Sequence, residues 1–135
     1  DGRLSNLSTR ARVGTGGDVL IGGFVLAGDS PRRCLIRAVG ETLGDFGVTD
    51  ALADPRIAVF PTGQTDAIAE NDDWSENPSR AAIVLEGSRA GAFPLPAGSL
   101  DSAVMVDLEP GGYTAVVSGV EDATGIALVE IYVLD

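Results

Sequence analysis

The sequence predicts an all-β fold: an eight-stranded antiparallel β-sandwich, jelly-roll-like, with one or two short helices. Three observations predict it. The last third of the chain runs through three apolar–polar alternations with the period of 2 that marks strands with one buried face. Eighteen Gly and seven Pro occur with no collagen period, the usage of many short strands joined by tight turns. The hydrophobic fraction of 44% over 135 residues supplies one core and therefore one domain, residues 1–135.

Taken in order, Arg3 to Val13 alternates with Leu7, Thr9, Ala11 and Val13 on one face and Ser8, Arg10 and Arg12 on the other. Gly14-Thr15-Gly16-Gly17-Asp18 is a hairpin-type turn signal. Val19 to Ala27 form the second strand, where Gly22-Gly23 marks a bulge or a close backbone contact. Gly28 to Pro31 turn the chain and Arg33 to Val39 form the third strand, so the first forty residues read as a meander. Glu41 to Ala53 break the pattern and suit a short helical turn and loop. Arg56 to Phe60 and then Ala67 to Ala69 are strands, the latter running into Glu70-Asn71-Asp72-Asp73-Trp74. Arg80 to Ala90 fits a short helix with Ser79 as N-cap and Gly87 as its weak point. Val104 to Leu108, Tyr113 to Val117 and Ile126 to Val133 close the chain, separated by Glu109-Pro110-Gly111-Gly112 and Glu121 to Gly125.

Nine basic residues, all Arg, stand against twenty acidic ones, for a net charge of −11. Such a surface repels phosphate backbones and anionic lipid and favours cations, so nucleic acid is not an expected partner. No apolar run approaches the roughly 18 residues of a membrane span, so membrane insertion is not expected. The chain has no His, which excludes His-based acid–base catalysis and Ser-His-Asp or Cys-His pairs. Cys34, the single cysteine, lies in the apolar run Cys34-Leu35-Ile36 and reads as a buried, inert thiol. The glycine-rich Gly14 to Gly17 lacks the Gly-Lys-Ser/Thr ending of a phosphate loop, and Gly119 to Gly125 joins strand to strand; both are turns. An enzyme is not expected.

Glu70-Asn71-Asp72-Asp73-Trp74-Ser75-Glu76 is the sharpest local feature. Oxygen-bearing side chains at a strand end suit a hard cation, and with no His available Ca²⁺ leads over Zn²⁺ or Cu²⁺. The ligands expected are Asn71, Asp72 and Asp73. The bland reading is a solvated acidic turn with Trp74 capping the core. Glycosidase chemistry needs two carboxyls across an apolar cleft, and nothing in the sequence argues for one. Glu130, inside an apolar strand, is open to three readings: facing solvent, pairing with an Arg such as Arg37, or supplying a ligand.

Four blocks carry a family resemblance: Leu4 to Val25, with its Leu7-Ser8-Thr9-Arg10 and Gly22-Gly23-Phe24; Leu35 to Pro55; Asn71 to Trp74; and Pro110 to Tyr132. The chain resembles small β-sandwich modules of secreted and surface multidomain proteins of environmental bacteria, departing at Glu41-Thr42, where Pro-Ser is usual. Its closing blocks are similar to bacterial pre-peptidase C-terminal domains, jelly-roll-like sandwiches that often bind Ca²⁺ through acidic loops. The resemblance implies export, an accessory role, and Asn71, Asp72 and Asp73 as metal residues.

The leading functional expectation is thus a non-enzymatic extracellular or cell-surface structural or adhesive module. Its partners would be neighbouring domains or other copies of itself, assembled into a filament by strand pairing between subunits, with Arg3 to Val13 donated. A strand tucked into its own sheet is the plain alternative. The second expectation is an accessory carbohydrate- or cell-wall-binding domain of a secreted enzyme, for which a solvent-exposed Trp74 beside a groove would speak.

Overall fold

The computed structural model describes residues 6–134. Eight strands form two four-stranded antiparallel sheets: β1 (Asn6–Val13), β2 (Leu20–Leu26), β3 (Arg32–Val39), β4 (Pro55–Pro61), β5 (Ala69–Asn71), β6 (Ser102–Leu108), β7 (Gly111–Gly119) and β8 (Gly125–Leu134). The first sheet has the order β1-β8-β3-β6 and the second β2-β7-β4-β5. One α-helix, α1 (Arg80–Arg89), and three short 3-10 helices, the longest at Glu41–Phe46, complete the fold. The expected all-β sandwich is the fold observed.

The expected meander is not. No two of β1, β2 and β3 pair with each other; β1 and β3 flank β8, and β2 lies against β7 in the opposite sheet. The turn after β1 closes on itself, Gly14 N–H donating to the Asp18 carbonyl at 2.7 Å and Asp18 N–H to that of Thr15 at 3.0 Å, and it carries the chain across the sandwich instead of back along the same sheet. The C-terminal strands β7 and β8 are interior and supply the pairing partners. The part of the first strand expected at residues 3–5 lies outside the described residues. The rest, β1, is paired along its whole length with β8, from Asn6↔Tyr132 to Val13↔Gly125. It is therefore held in its own sheet.

Alternation along the strands builds the core between the sheets. Cys34, Ile36 and Ala38 of β3, Ala127, Val129 and Ile131 of β8, and Tyr113, Ala115 and Val117 of β7 all point inward. Of the two readings of Gly22-Gly23, close contact is the one observed: β2 pairs in unbroken register with β7, and a Cβ at Gly22 would lie 3.3 Å from Val129 Cγ1 on the facing sheet. Cys34 is fully buried, and burial pushes its thiol up to about 11.

The other face of the first sheet is not left to solvent. Helix α1 covers it, and Leu35, Ala103, Tyr132 and Leu134 from the sheet meet Trp74 and Ile83 in a second apolar layer. Strands β3 and β8 are buried on both faces, which is why β3 reads as a near-continuous apolar run. Within α1 the buried positions are Ile83 and Gly87, one turn apart. Ser79 is the N-cap but makes no side-chain cap; its own N–H donates to Asn77 Oδ1 at 2.8 Å, and Asn77 Nδ2 reaches the Ala103 carbonyl at 3.0 Å. A Cβ at Gly87 would sit 3.7 Å from Leu35 Cδ2 and 3.9 Å from Arg37 Nη1, ordinary contact. Gly87→Ala is therefore expected to stabilise the fold by about 0.5–1 kcal/mol through helix propensity, read as a higher urea midpoint with unchanged slope. A loss of stability would mean that the helix sits closer to the sheet than described.

This second layer also places Glu130. It stands opposite Arg37 in the β3–β8 register, both side chains facing α1. Arg37 Nε donates to Glu130 Oε1 at 2.8 Å and Arg37 Nη1 to the Phe93 carbonyl at 2.8 Å. Tyr132 Oη donates to Glu130 Oε2 at 2.7 Å. Burial, then that hydrogen bond, pushes the Tyr132 phenol well above its ordinary range, so it remains a donor. The reading in which Glu130 pairs with Arg37 is the one observed.

Candidate metal centre

The acidic end of the sandwich is assembled by a hairpin. Strands β4 and β5 pair antiparallel, with Ile57 opposite Asn71 and Val59 opposite Ala69. Continuing that ladder past its end sets the residues just before β4 beside those just after β5. Asp54 thus meets Asp72 and Asp73, and one carboxylate oxygen from each lies within 4.8 Å of the others. The β7–β8 connection closes the same corner, Val120 N–H donating to the Asp54 carbonyl at 3.0 Å.

Of the three residues expected as ligands, the structure brings Asp72 and Asp73 together and gives Asn71 a different task. Asn71 Oδ1 accepts from Ala103 N–H at 3.0 Å and its Nδ2 donates to the Asp73 carbonyl at 3.3 Å. It stitches edge strand β5 to edge strand β6 of the other sheet. Asp54 was not among the expected residues. The signal that could have found it is the Asp54-Pro55 start of a strand whose hairpin partner ends at Asn71-Asp72-Asp73, because an antiparallel ladder brings those ends together.

The electrostatics are those of crowded carboxyls. Asp54 is pushed up to about 6, first by burial, then by a hydrogen bond with Asp72 and the charges of Asp72, Asp73 and Glu121. Asp73 is also raised, by burial and by the charges of Asp72 and Glu76. The Oδ1 atoms of Asp54 and Asp73 are buried and have no hydrogen-bond partner. Buried polar atoms in native proteins are nearly always bonded, and the exceptions call for an explanation such as an ion.

The raised acids make a pH prediction. A carboxyl whose folded value exceeds its unfolded one binds more protons when folded, so the cluster stabilises the metal-free protein at low pH and loses that contribution as pH rises from about 4 to about 6. Asp54→Asn is expected to flatten this slope in melts taken between about pH 4.5 and 7 in chelator. Parallel slopes for the two proteins would remove the shifted acid from the account.

Trp74 follows the cluster but is not an exposed platform. It is 7% exposed, its Nε1 donates to Ser99 Oγ at 3.1 Å, and its ring packs beneath α1. The reading in which Trp74 caps the core is the one observed.

The fold and its acidic corner define a class: an all-β sandwich with a carboxylate cluster at one end. Among solved structures the chain is similar to the pre-peptidase C-terminal domain of a collagenase from Bacillus anthracis, with a TM-score of 0.51 over 93% of this chain and 88% of that one. Sequence identity is 12%, so the likeness is one of fold. No protein-family model matches the chain, and no curated protein matches it.

Proposed function

We propose that this chain is a non-catalytic, extracellular accessory module of a multidomain protein and that Asp54, Asp72 and Asp73 hold a Ca²⁺ ion. One observation carries the metal: two carboxylate oxygens, Oδ1 of Asp54 and of Asp73, are buried without a partner in a three-carboxylate cluster. The residues fit the ion. Ca²⁺ takes oxygen ligands at about 2.3–2.6 Å, so oxygens up to about 5 Å apart are within reach of one centre. The ion would neutralise the crowded charge and tie β4, β5 and the β7–β8 connection into one rigid corner. The accessory role is supported by the fold shared with the collagenase domain. The non-catalytic reading is supported by a chain without His whose one thiol is buried. No helix among the described residues is long and apolar enough to cross a membrane.

The test is thermal unfolding in about millimolar Ca²⁺ and in chelator, with Mg²⁺ as control. Free ion at about 100-fold over Kd is expected to add about 2.7 kcal/mol. Asp73→Asn and Asp54→Asn should each abolish most of that gain. Identical melting curves with Ca²⁺ and with chelator would end the metal proposal.

A second reading, pairing between copies, draws on one observation. Only Val13 of β1 is fully buried and the residues Asn6 to Arg10 are exposed, so this edge strand is held mainly by its ladder to β8. Leu7→Cys with Ile131→Cys, which face each other in register, would form disulfide-linked oligomers if β1 is exchanged. An exclusively monomeric crosslinked product would refute exchange.

A further inference from the structure

Among the described residues, β2 is the sheet edge left without protection. Four strands lie at edges: β1 and β6 in the first sheet, β2 and β5 in the second. Native proteins blunt such edges with charge, proline, bulges or shortness, because an open row of backbone groups invites another strand. Three of the four are blunted: β1 carries Arg10 and Arg12, β6 carries Asp107, and β5 is a short strand containing Glu70. Strand β2 pairs in unbroken register with β7 and lies in the run Val19 to Gly28, which contains no charged residue and no Pro. Its side chains are apolar even where they face away from the core, Ile21 being 56% and Val25 78% exposed.

The backbone of the neighbouring strands shows which groups β2 leaves open. Thr62 N–H donates to the Gly112 carbonyl at 3.0 Å, so the even-numbered residues of β7 turn their backbone groups toward β4. Alternation along an antiparallel ladder then turns those of Tyr113, Ala115 and Val117 toward β2, where their partners are Phe24, Gly22 and Leu20. The N–H and C=O groups of Ile21, Gly23 and Val25 therefore point out of the sheet edge. Gly23, at their centre, is not demanded by the packing of its own chain: a Cβ there would meet only the Tyr113 carbonyl oxygen, at 4.0 Å. A glycine inside a strand weakens it and often marks the close approach of another backbone.

We propose that β2 pairs antiparallel with β2 of a second copy of this chain, about a two-fold axis at Gly23. Centring on Gly23 is the register that uses all three open residues. Ile21 then lies opposite the partner's Val25 and Gly23 opposite the partner's Gly23, with about six hydrogen bonds, two per pair. Ile against Val is a favourable cross-strand pair. Symmetry and charge select a second copy as the occupant. The open residues run β-branched, glycine, β-branched, so the edge is its own complement, as a closed two-fold contact requires. Each copy carries a net −11, and self-pairing of β1, β5 or β6 would set Arg against Arg or acid against acid; β2 opposes no charges. The nearest carboxylates, the exposed Asp18 and Asp29, flank the run at its two ends. Strand β1 stays in its own sheet, so this contact is independent of β1 exchange and of the acidic corner.

Sedimentation velocity of the intact chain in chelator measures the association, and amide hydrogen exchange locates it. A monomer–dimer equilibrium is expected between about 1 µM and 1 mM. The dimer should tighten as salt rises from about 0.01 to about 0.1 M, since salt screens two acidic bodies and leaves an uncharged contact intact. The Ile21, Gly23 and Val25 amides should exchange several-fold more slowly in the dimer than in the monomer. Ile21→Pro removes one edge N–H from each copy, is tolerated at a sheet edge, and should weaken the dimer about ten-fold. Gly23→Lys sets two ammonium groups opposite each other and provides the same break should the first variant not fold. A chain that stays monomeric at about 1 mM would overturn the proposal, as would dimers indifferent to both variants. Dimers whose three β2 amides stay unprotected would overturn this contact and assign the association to β1 exchange. Monomers whose β2 amides are protected by an alternating Thr-Val peptide would overturn the second copy and give the edge to a different chain.

Discussion

Arg37→Met is expected to destabilise the protein by about 3–5 kcal/mol, because it strips a buried carboxylate of its counter-charge. Glu130 is 6% exposed and would keep only the Tyr132 hydroxyl at 2.7 Å. The Phe93 carbonyl would lose its donor, and the guanidinium packing over the Phe93 ring at 4.7 Å would go with it. Replacing the whole network is a different matter. Arg37→Met with Glu130→Leu and Tyr132→Phe removes the charges and the hydroxyl together, and is expected to fall within about 2 kcal/mol of the parent, since well-packed apolar residues substitute for buried ion pairs at little cost. Urea unfolding of the single and triple variants measures both. A single variant losing less than about 1 kcal/mol would show that water reaches Glu130 and that the outer layer is not closed over it.

Asp101→Ala is expected to cost about 3 kcal/mol or more. Asp101 is fully buried and accepts from three donors: Gly40 N–H at 2.8 Å, Ser99 Oγ at 2.8 Å and the Thr42 hydroxyl. Truncation orphans all three, and each buried donor left unpaired costs about 1–3 kcal/mol, less whatever relaxation recovers. The effect should spread in a defined direction. Asp101 anchors the start of the Glu41–Phe46 helical turn, and its carbonyl accepts from Trp74 N–H at 2.9 Å, so amide protection at Gly40 and Trp74 should fall before that of the β-ladders. Only glycine fits at position 40, because a Cβ there would lie 2.1 Å from the Leu52 carbonyl oxygen. Asp101→Asn, which keeps one acceptor, should lose less. Equal losses for both variants would point to charge instead of hydrogen bonding as the source of the stabilisation.

Much of the fold was legible along the chain. Alternation and turn residues place all eight strands within a few residues of their positions, and the helix read over Arg80 to Ala90 matches α1 to within one residue. Part of the candidate metal centre was legible too, since Asp72 and Asp73 are neighbours in sequence. Asp54 was not, because its proximity is a property of the β4–β5 register and not of spacing. Asn71 carries the right oxygen for a ligand, yet its commitment to Ala103 comes from a strand thirty-two residues away. Nothing local distinguishes Asp101 from any other loop aspartate; its three donors come from segments on either side of the long central excursion.

What the residues settle without help is local: a period of 2, glycines and prolines at the turns, and a net charge of −11. Which sheet each strand joins is settled by packing across the whole molecule, since β1, β2 and β3 each find their partners among strands more than sixty residues further on. The same is true of the second face of β3 and β8. A strand buried on one side and a strand buried on both differ only in what covers them. Helix α1 provides that cover, and with it the closed environment of Arg37 and Glu130.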